Sequence, residues 1–358
     1  TPPIYTLYSS SAASDVYKRQ DPASAGVPSR GQLLMSETLL STAQILIGFV
    51  GLIAAGEMLV RGASNLAAAA RISPLVIGLT VVAFGTSAPE LAVTLQAALS
   101  GSPELAVGNV VGSNIANVLL ILGISALVAP LVVESRVVRI DVPLIIAASI
   151  GLWVLSLNGG LGLVDGILLF AVLIAYLVWS IREGRQEAPA LQAEFAQGLG
   201  VGDQNKLTHL AKQVGLVVAG LLLLAISAQL LVAGATQIAR TLGVSELVIG
   251  LTVIAIGTSL PELVASVVAS LRGQRDIAVG NVVGSNLFNI LGVLGVGAIL
   301  APGGIPVSEQ VIRVDMPIMI ATAVACLPIF FTGQRINRLE GGLFLGYFVA
   351  YMAYVVMG

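Results

Sequence analysis

Two carboxylates stand out for their surroundings. Glu90 ends the run Gly78-Leu-Thr-Val-Val-Ala-Phe-Gly-Thr-Ser-Ala-Pro-Glu90, and Glu262 ends Gly250-Leu-Thr-Val-Ile-Ala-Ile-Gly-Thr-Ser-Leu-Pro-Glu262. Neither has a Lys, Arg or His nearby within its apolar segment. An ionisable side chain near the centre of a bilayer costs at least about 2.5 kcal/mol by insertion scales, so it marks a functional site by default. Thr86 and Glu90, Ser113 and Asn117, Thr258 and Glu262, and Ser285 and Asn289 are all i, i+4 pairs, each placing two oxygen-bearing side chains on one helical face. If the carboxylates approach to about 5 Å, they repel by about 3 kcal/mol at an effective dielectric near 20. Without a cation, at least one should hold a proton. A divalent cation removes the penalty, and carboxylates, hydroxyls and carbonyls are the hard oxygen donors that suit Ca²⁺. The structural alternative, a protonated Glu bonded to a neighbouring helix, is disfavoured because the arrangement occurs twice.

Both glutamates follow a helix breaker. In Gly85-Thr-Ser-Ala-Pro89 and Gly257-Thr-Ser-Leu-Pro261 the proline lacks an amide donor and glycine permits unusual dihedrals, so carbonyls should be freed at mid-membrane depth. A plain proline kink explains one copy better than two. A second doubled motif, Gly108-Asn-Val-Val-Gly-Ser-Asn-Ile-Ala-Asn117 and Gly280-Asn-Val-Val-Gly-Ser-Asn-Leu-Phe-Asn289, keeps the same 172-residue offset. Its GxxxG spacing predicts close helix packing, and Asn109, Asn114, Asn281 and Asn286 are read as caps or interhelical hydrogen bonds before ion ligands.

The elements that must position these residues are membrane helices. Of 358 residues, 56% are hydrophobic and only 10% charged, and mean hydropathy is +0.97, which excludes soluble globular classes. Aromatic residues are too sparse for a transmembrane barrel, which leaves an all-α membrane protein. Ten transmembrane helices are expected at 39–60, 73–98, 104–128, 142–158, 162–181, 210–239, 245–270, 276–300, 315–332 and 340–357. They divide into a first five-helix repeat, 39–181, and a second, 210–358. An odd number of spans per repeat gives the two repeats inverted topology. Residues 1–38 are read as a disordered or artefactual extension, and 182–209 as a linker containing the single histidine, His209, taken as solvated.

Lys and Arg fall twelve to two in favour of one face when that extension is set aside, which places the linker in the cytoplasm and both termini outside. Asp141 and Asp315 are read as structural, with Arg139 and Arg313 as neighbours. Glu57 aligns with Gln229 and so is no symmetric ligand. The single cysteine, Cys326, forms no intrachain disulfide, and a net charge of −2 implies no nucleic-acid partner.

The doubled Gly-Thr-Ser-x-Pro-Glu and Gly-Asn-x-x-Gly-Ser-Asn-x-x-Asn motifs resemble the alpha repeats of the cation/calcium antiporter superfamily, closest to prokaryotic sodium/calcium exchangers. The resemblance covers 39–358. It implies a central Ca²⁺ site of Glu90 and Glu262 with the Thr86 and Thr258 carbonyls. It also implies sodium sites using the Ser87, Ser259, Ser113 and Ser285 hydroxyls, the Ala83 and Ala255 carbonyls and the same glutamates. Asn117 and Asn289 would complete the cluster. Some relatives, including potassium-dependent exchangers, carry Asp where this chain has Asn289, so potassium coupling does not carry over. The expected activity is Ca²⁺/Na⁺ antiport by alternating access in a bacterial or archaeal cytoplasmic membrane, with the ions as substrates, no cofactor and no obligate protein partner. A proton-coupled Ca²⁺ antiporter is the nearest rival and a cation channel the next. An intramembrane enzyme lacks a His or Cys/His set to act as base.

Overall fold

The computed structural model describes residues 30–70, 72–99, 104–186, 206–331 and 334–357. Apolar segments that must satisfy every backbone amide internally fold as helices, and helix dominates throughout. The order is α1 (Arg30–Ala70), α2 (Pro74–Thr86), α3 (Ala88–Leu99), α4 (Leu105–Val128), α5 (Val137–Ser156), α6 (Leu163–Gln186) and α7 (Lys206–Thr241). There follow α8 (the consecutive turns Glu246–Ile249, Gly250–Ile254 and Ala255–Thr258), α9 (Leu260–Leu271), α10 (Arg275–Leu300), α11 (Val311–Asp315 with Met316–Phe331) and α12 (Arg338–Met357).

Among the described residues six helices are long and apolar enough to cross a membrane, and the bent pairs α2–α3, at 44°, and α8–α9, at 55°, each meet the same length and composition when the two members are taken together. The expected spans 315–332 and 340–357 fall on α11 and α12, which lie outside that set.

Two results differ from the sequence reading at the helix ends. Helix α1 begins at Arg30 rather than near residue 39, because nothing from Gln32 to Glu37 breaks it; residues 1–29 lie outside the described residues. His209 belongs to α7, half-buried, with Nε2 3.4 Å from Gln213 Nε2, while Gln213 Oε1 accepts from Asn65 Nδ2 at 3.2 Å. Of the 182–209 linker, residues 187–205 lie outside the described residues.

The halves contact each other reciprocally. The two-residue strands β1 (Leu131–Val132) and β4 (Arg335–Ile336) pair antiparallel, with Leu131 opposite Ile336. So do β2 (Gly160–Leu161) and β3 (Ile305–Pro306), with Leu161 opposite Ile305. Each pair joins a loop of the first half to a loop of the second. Helices α1 and α7 lie side by side, close enough that a Cβ on Gly220 would come within 2.8 Å of the Leu59 amide nitrogen.

Wide π-type turns recur at matching places: Gly78–Val82 and Gly250–Ile254, Asn117–Leu122 and Phe288–Val293, Val137–Asp141 and Val311–Asp315. Such turns release carbonyls from the regular ladder, and Trp153 Nε1 donates to one of them, Ile312 O, at 2.9 Å. The third pair moves Asp141 inside α5, where it is fully buried. It accepts from the Tyr176 hydroxyl at 3.0 Å and lies 3.7 Å from Arg136 Nε. Arg136, not the expected Arg139, is its basic neighbour. Arg313 pairs with Glu309, and Glu57 with Arg61 and Arg272.

Candidate cation site

The helix breaks lie at Ser87, with φ −81° and ψ 6°, and at Ser259, with φ −88° and ψ 5°. Pro89 and Pro261 follow at once and cannot donate to the Gly85 and Gly257 carbonyls. The ladder resumes with Leu91 N–H on Ser87 O at 3.1 Å and Leu263 N–H on Ser259 O at 3.0 Å. Glu90 and Glu262 therefore stand in the first turns of α3 and α9, the helix end whose free amides favour negative charge. Both are 1% exposed.

The two breaks are joined across the halves. Ser87 Oγ donates to Glu262 Oε1 at 3.1 Å, and Thr86 Oγ1 donates to Asn281 Oδ1 at 3.0 Å. Asn281 Nδ2 reaches back to Glu262 O at 3.2 Å and Ser266 Oγ at 2.9 Å. Asn109, its repeat partner, makes the corresponding contacts to Glu90 O at 3.4 Å and Thr94 Oγ1 at 3.2 Å. Beneath them, Asn117 Nδ2 donates to Asn286 Oδ1 at 3.1 Å, and Asn289 Nδ2 to Asn114 Oδ1 at 3.4 Å. Shifted by the repeat offset, each of these last two contacts becomes the other.

Among the described residues, six buried side-chain oxygens on expected ligands have no hydrogen-bond partner: Glu90 Oε2, Glu262 Oε2, Asn117 Oδ1, Asn289 Oδ1, Ser259 Oγ and Ser285 Oγ. Buried polar atoms are ordinarily paired, and this concentration of free oxygens is of the hard-donor kind that cations such as Ca²⁺ accept. Ser113 is buried on α4. The Ala83 carbonyl accepts from the Ser87 amide at 3.0 Å and from Thr86 Oγ1 at 3.3 Å. Thr258 ends α8, and Ala255 opens the turn before it. Among the described residues no group of three or more His, Cys, Asp or Glu side chains is gathered for a metal. Two carboxylates set among neutral oxygens are the arrangement here.

The four asparagines read as structural do make interhelical bonds, and each has at least one bond to a candidate site residue or its backbone. The signal available in the sequence was their recurrence in both copies of one motif.

The sequence pattern of the family described as sodium/calcium exchanger protein matches twice, over residues 40–182 and 212–357. The putative antiporter CaxA of Alkalimonas amylolytica is 42% identical over 317 residues, covering 87% of this chain and 98% of that protein. The sodium/calcium exchanger MaX1 of Methanosarcina acetivorans is 32% identical over 338 residues, covering 86% and 96%. A solved structure of the sodium-calcium exchanger NCX_Mj superposes with a TM-score of 0.76 at 30% identity, covering 88% of this chain and 99% of that one. These matches run through both halves and include both glutamate motifs. The chain is thus an integral membrane protein of the sodium/calcium exchanger family, a prokaryotic member of the cation/calcium antiporter superfamily and an ion exchanger, not an enzyme.

Proposed function

We propose that this protein exchanges Ca²⁺ for Na⁺ at a site built on Glu90 and Glu262. The observation that carries the reading is the set of six partnerless buried oxygens, contributed by both halves and all on residues expected as ligands. One Ca²⁺ or two Na⁺ can neutralise two carboxylates. Left bare and charged they repel by about 3 kcal/mol at 5 Å and an effective dielectric near 20. Ca²⁺ and Na⁺ therefore exclude each other, and exchange follows. Thr86, Thr258, Ala83 and Ala255 contribute carbonyls, and Ser87, Ser113, Ser259 and Ser285 hydroxyls. Two relatives point to the same ions: MaX1 is named a sodium/calcium exchanger, and the NCX_Mj structures were soaked with Na⁺, Ca²⁺ or Sr²⁺.

The halves are read as inverted repeats of five spans each, with 182–209 cytoplasmic and the termini outside. The strand pairs support this: in that topology both loops of β1·β4 fall inside and both loops of β2·β3 outside. Equivalent positions also differ in exposure. Ile277 at the start of α10 is 1% exposed, whereas its counterpart Leu105 on α4 is 66% exposed. Gly280 and Asn281 are buried, but Gly108 is exposed and Asn109 only half-buried. In the proposed orientation the buried segment around Ile277 lies toward the inside and the exposed segment around Leu105 toward the outside, and alternating access would exchange the two.

The test is Ca²⁺ uptake into proteoliposomes under an imposed Na⁺ gradient, set beside a proton gradient alone. Uptake driven by Na⁺ and not by H⁺ supports the reading; uptake driven only by H⁺ replaces it with proton-coupled antiport.

A further inference from the structure

Asn114 and Asn286 engage the ligand amides of Asn117 and Asn289 instead of adding free oxygens of their own. Asn286 Oδ1 accepts from Asn117 Nδ2 at 3.1 Å, and Asn114 Oδ1 accepts from Asn289 Nδ2 at 3.4 Å. In both cases the oxygen at the other end of the ligand amide is buried without a partner. Asn114 is itself oriented, because its Nδ2 lies 3.6 Å from Met319 Sδ. All four side chains are no more than 3% exposed.

A carboxamide has one end that only donates and one that only accepts, and a cation can use only the second. An acceptor placed against the NH₂ end decides which end remains for the ion. We propose that Asn286 and Asn114 are positioning residues that fix the polarity of the Asn117 and Asn289 amides, so that the ligand on each half is aimed by the other half. This rests on the reading of Asn117 and Asn289 as cation ligands. Simple interhelical bonding would hold the helices together whichever way the amides faced. Here the acceptor role falls on the same member of the pair in both copies, and the same atom is left free.

The test is equilibrium Ca²⁺ binding, by calorimetry with CaCl₂, to the purified full-length protein. The variants are Asn286→Leu, Asn286→Asp, Asn117→Ala and the double variant Asn117→Ala/Asn286→Leu, with Glu262→Gln as control. Removing a partner that orients a metal ligand costs on the order of 10- to 100-fold in affinity, and Asn286→Leu is expected in that range. Asn286→Asp keeps an acceptor against Asn117 and should recover most of the loss. The double variant should bind as Asn117→Ala does, because a residue acting through another is non-additive with it. The inference is overturned if Asn286→Leu binds as wild type does, or if it weakens binding equally with and without Asn117. Should Asn286→Leu not fold, Asn114→Leu with Asn289→Ala makes the same comparison on the other half. If the wild type binds no Ca²⁺, or Glu262→Gln binds as tightly, the cation-site reading fails. If Glu262→Gln loses binding and Asn286→Leu does not, only the positioning role fails.

Discussion

Ser87 Oγ donates to Glu262 Oε1 across 3.1 Å, so the broken helix of one half holds the carboxylate of the other. One Glu262 oxygen is thereby occupied by a protein donor, while the second, Oε2, is buried without a partner and is the one the proposed function gives to an ion. A contact of this kind makes the site a property of the interface between the halves. Any motion that separates α2–α3 from α8–α9 alters the ligand set directly.

Protons should compete with Ca²⁺. A cation is held by the ionised carboxylates, so binding displaces any proton they carry, and metal affinity falls as pH falls. Because an empty pair of close carboxylates keeps a proton that a single one would release, the apparent Kd for Ca²⁺ is expected to rise as pH is lowered from about 8 to about 5. Calorimetric titration across that range checks this; a flat affinity would count against paired carboxylates.

Asn289→Asp should change ion dependence. Asp replaces the Nδ2 that donates to Asn114 Oδ1 and adds a third carboxylate to Glu90 and Glu262. Each further pair of like charges at about 5 Å costs about 3 kcal/mol at an effective dielectric near 20. The variant should relieve this by taking up a proton or one more monovalent cation, with Ca²⁺ still bound. Na⁺-driven Ca²⁺ flux measured across pH, with and without K⁺, should then diverge from wild type. Superimposable profiles would place Asn289 outside the cluster.

Gly284→Ala should destabilise the fold. A Cβ there would come within 2.5 Å of Leu79 O, 2.8 Å of Leu79 Cα and 2.7 Å of Ala83 Cβ, and the Leu79 backbone cannot turn aside. Overpacking of this kind costs about 1–3 kcal/mol, so the melting temperature of the purified protein should fall and exchange should weaken with it. An unchanged melting temperature would show that α2 and α10 separate freely at this crossing.

The difference between Leu105 and Ile277 gives a labelling prediction. Cys326 is 4% exposed and so gives little background. A cysteine at Leu105 should react with a membrane-impermeant maleimide added outside, and a cysteine at Ile277 should resist it from either side. The reverse pattern would invert the assigned orientation or state.

Much of the candidate site was legible in the sequence because the chain states it twice. Glu90 and Glu262, the breaks before them and the asparagines all lie in doubled motifs whose residue types have few other uses inside a membrane. The π-type turns were not legible, since they depend on packing and not on any residue type. That had a direct consequence at Asp141. Through the Val137–Asp141 turn, residues five apart share a face, so Arg136 meets Asp141 where ordinary helical spacing did not favour it. The unequal burial of Leu105 and Ile277 was also beyond reach, because near-identical motifs cannot say which copy is packed. Helix α1 starts at Arg30, ahead of the expected 39–60 span, because the polar stretch 30–38 carries no proline to stop it.

The most direct measurement of the central claim is Na⁺-driven Ca²⁺ uptake by proteoliposomes containing wild type, Glu90→Gln or Glu262→Gln at equal amounts of folded protein. Each substitution keeps the shape of the side chain and removes one of two charges from a fully buried pair. Loss of a direct ligand should exceed the cost of losing an outer partner, so uptake should fall by more than about 100-fold in either variant. Uptake at the wild-type rate in either one would contradict the paired-glutamate site.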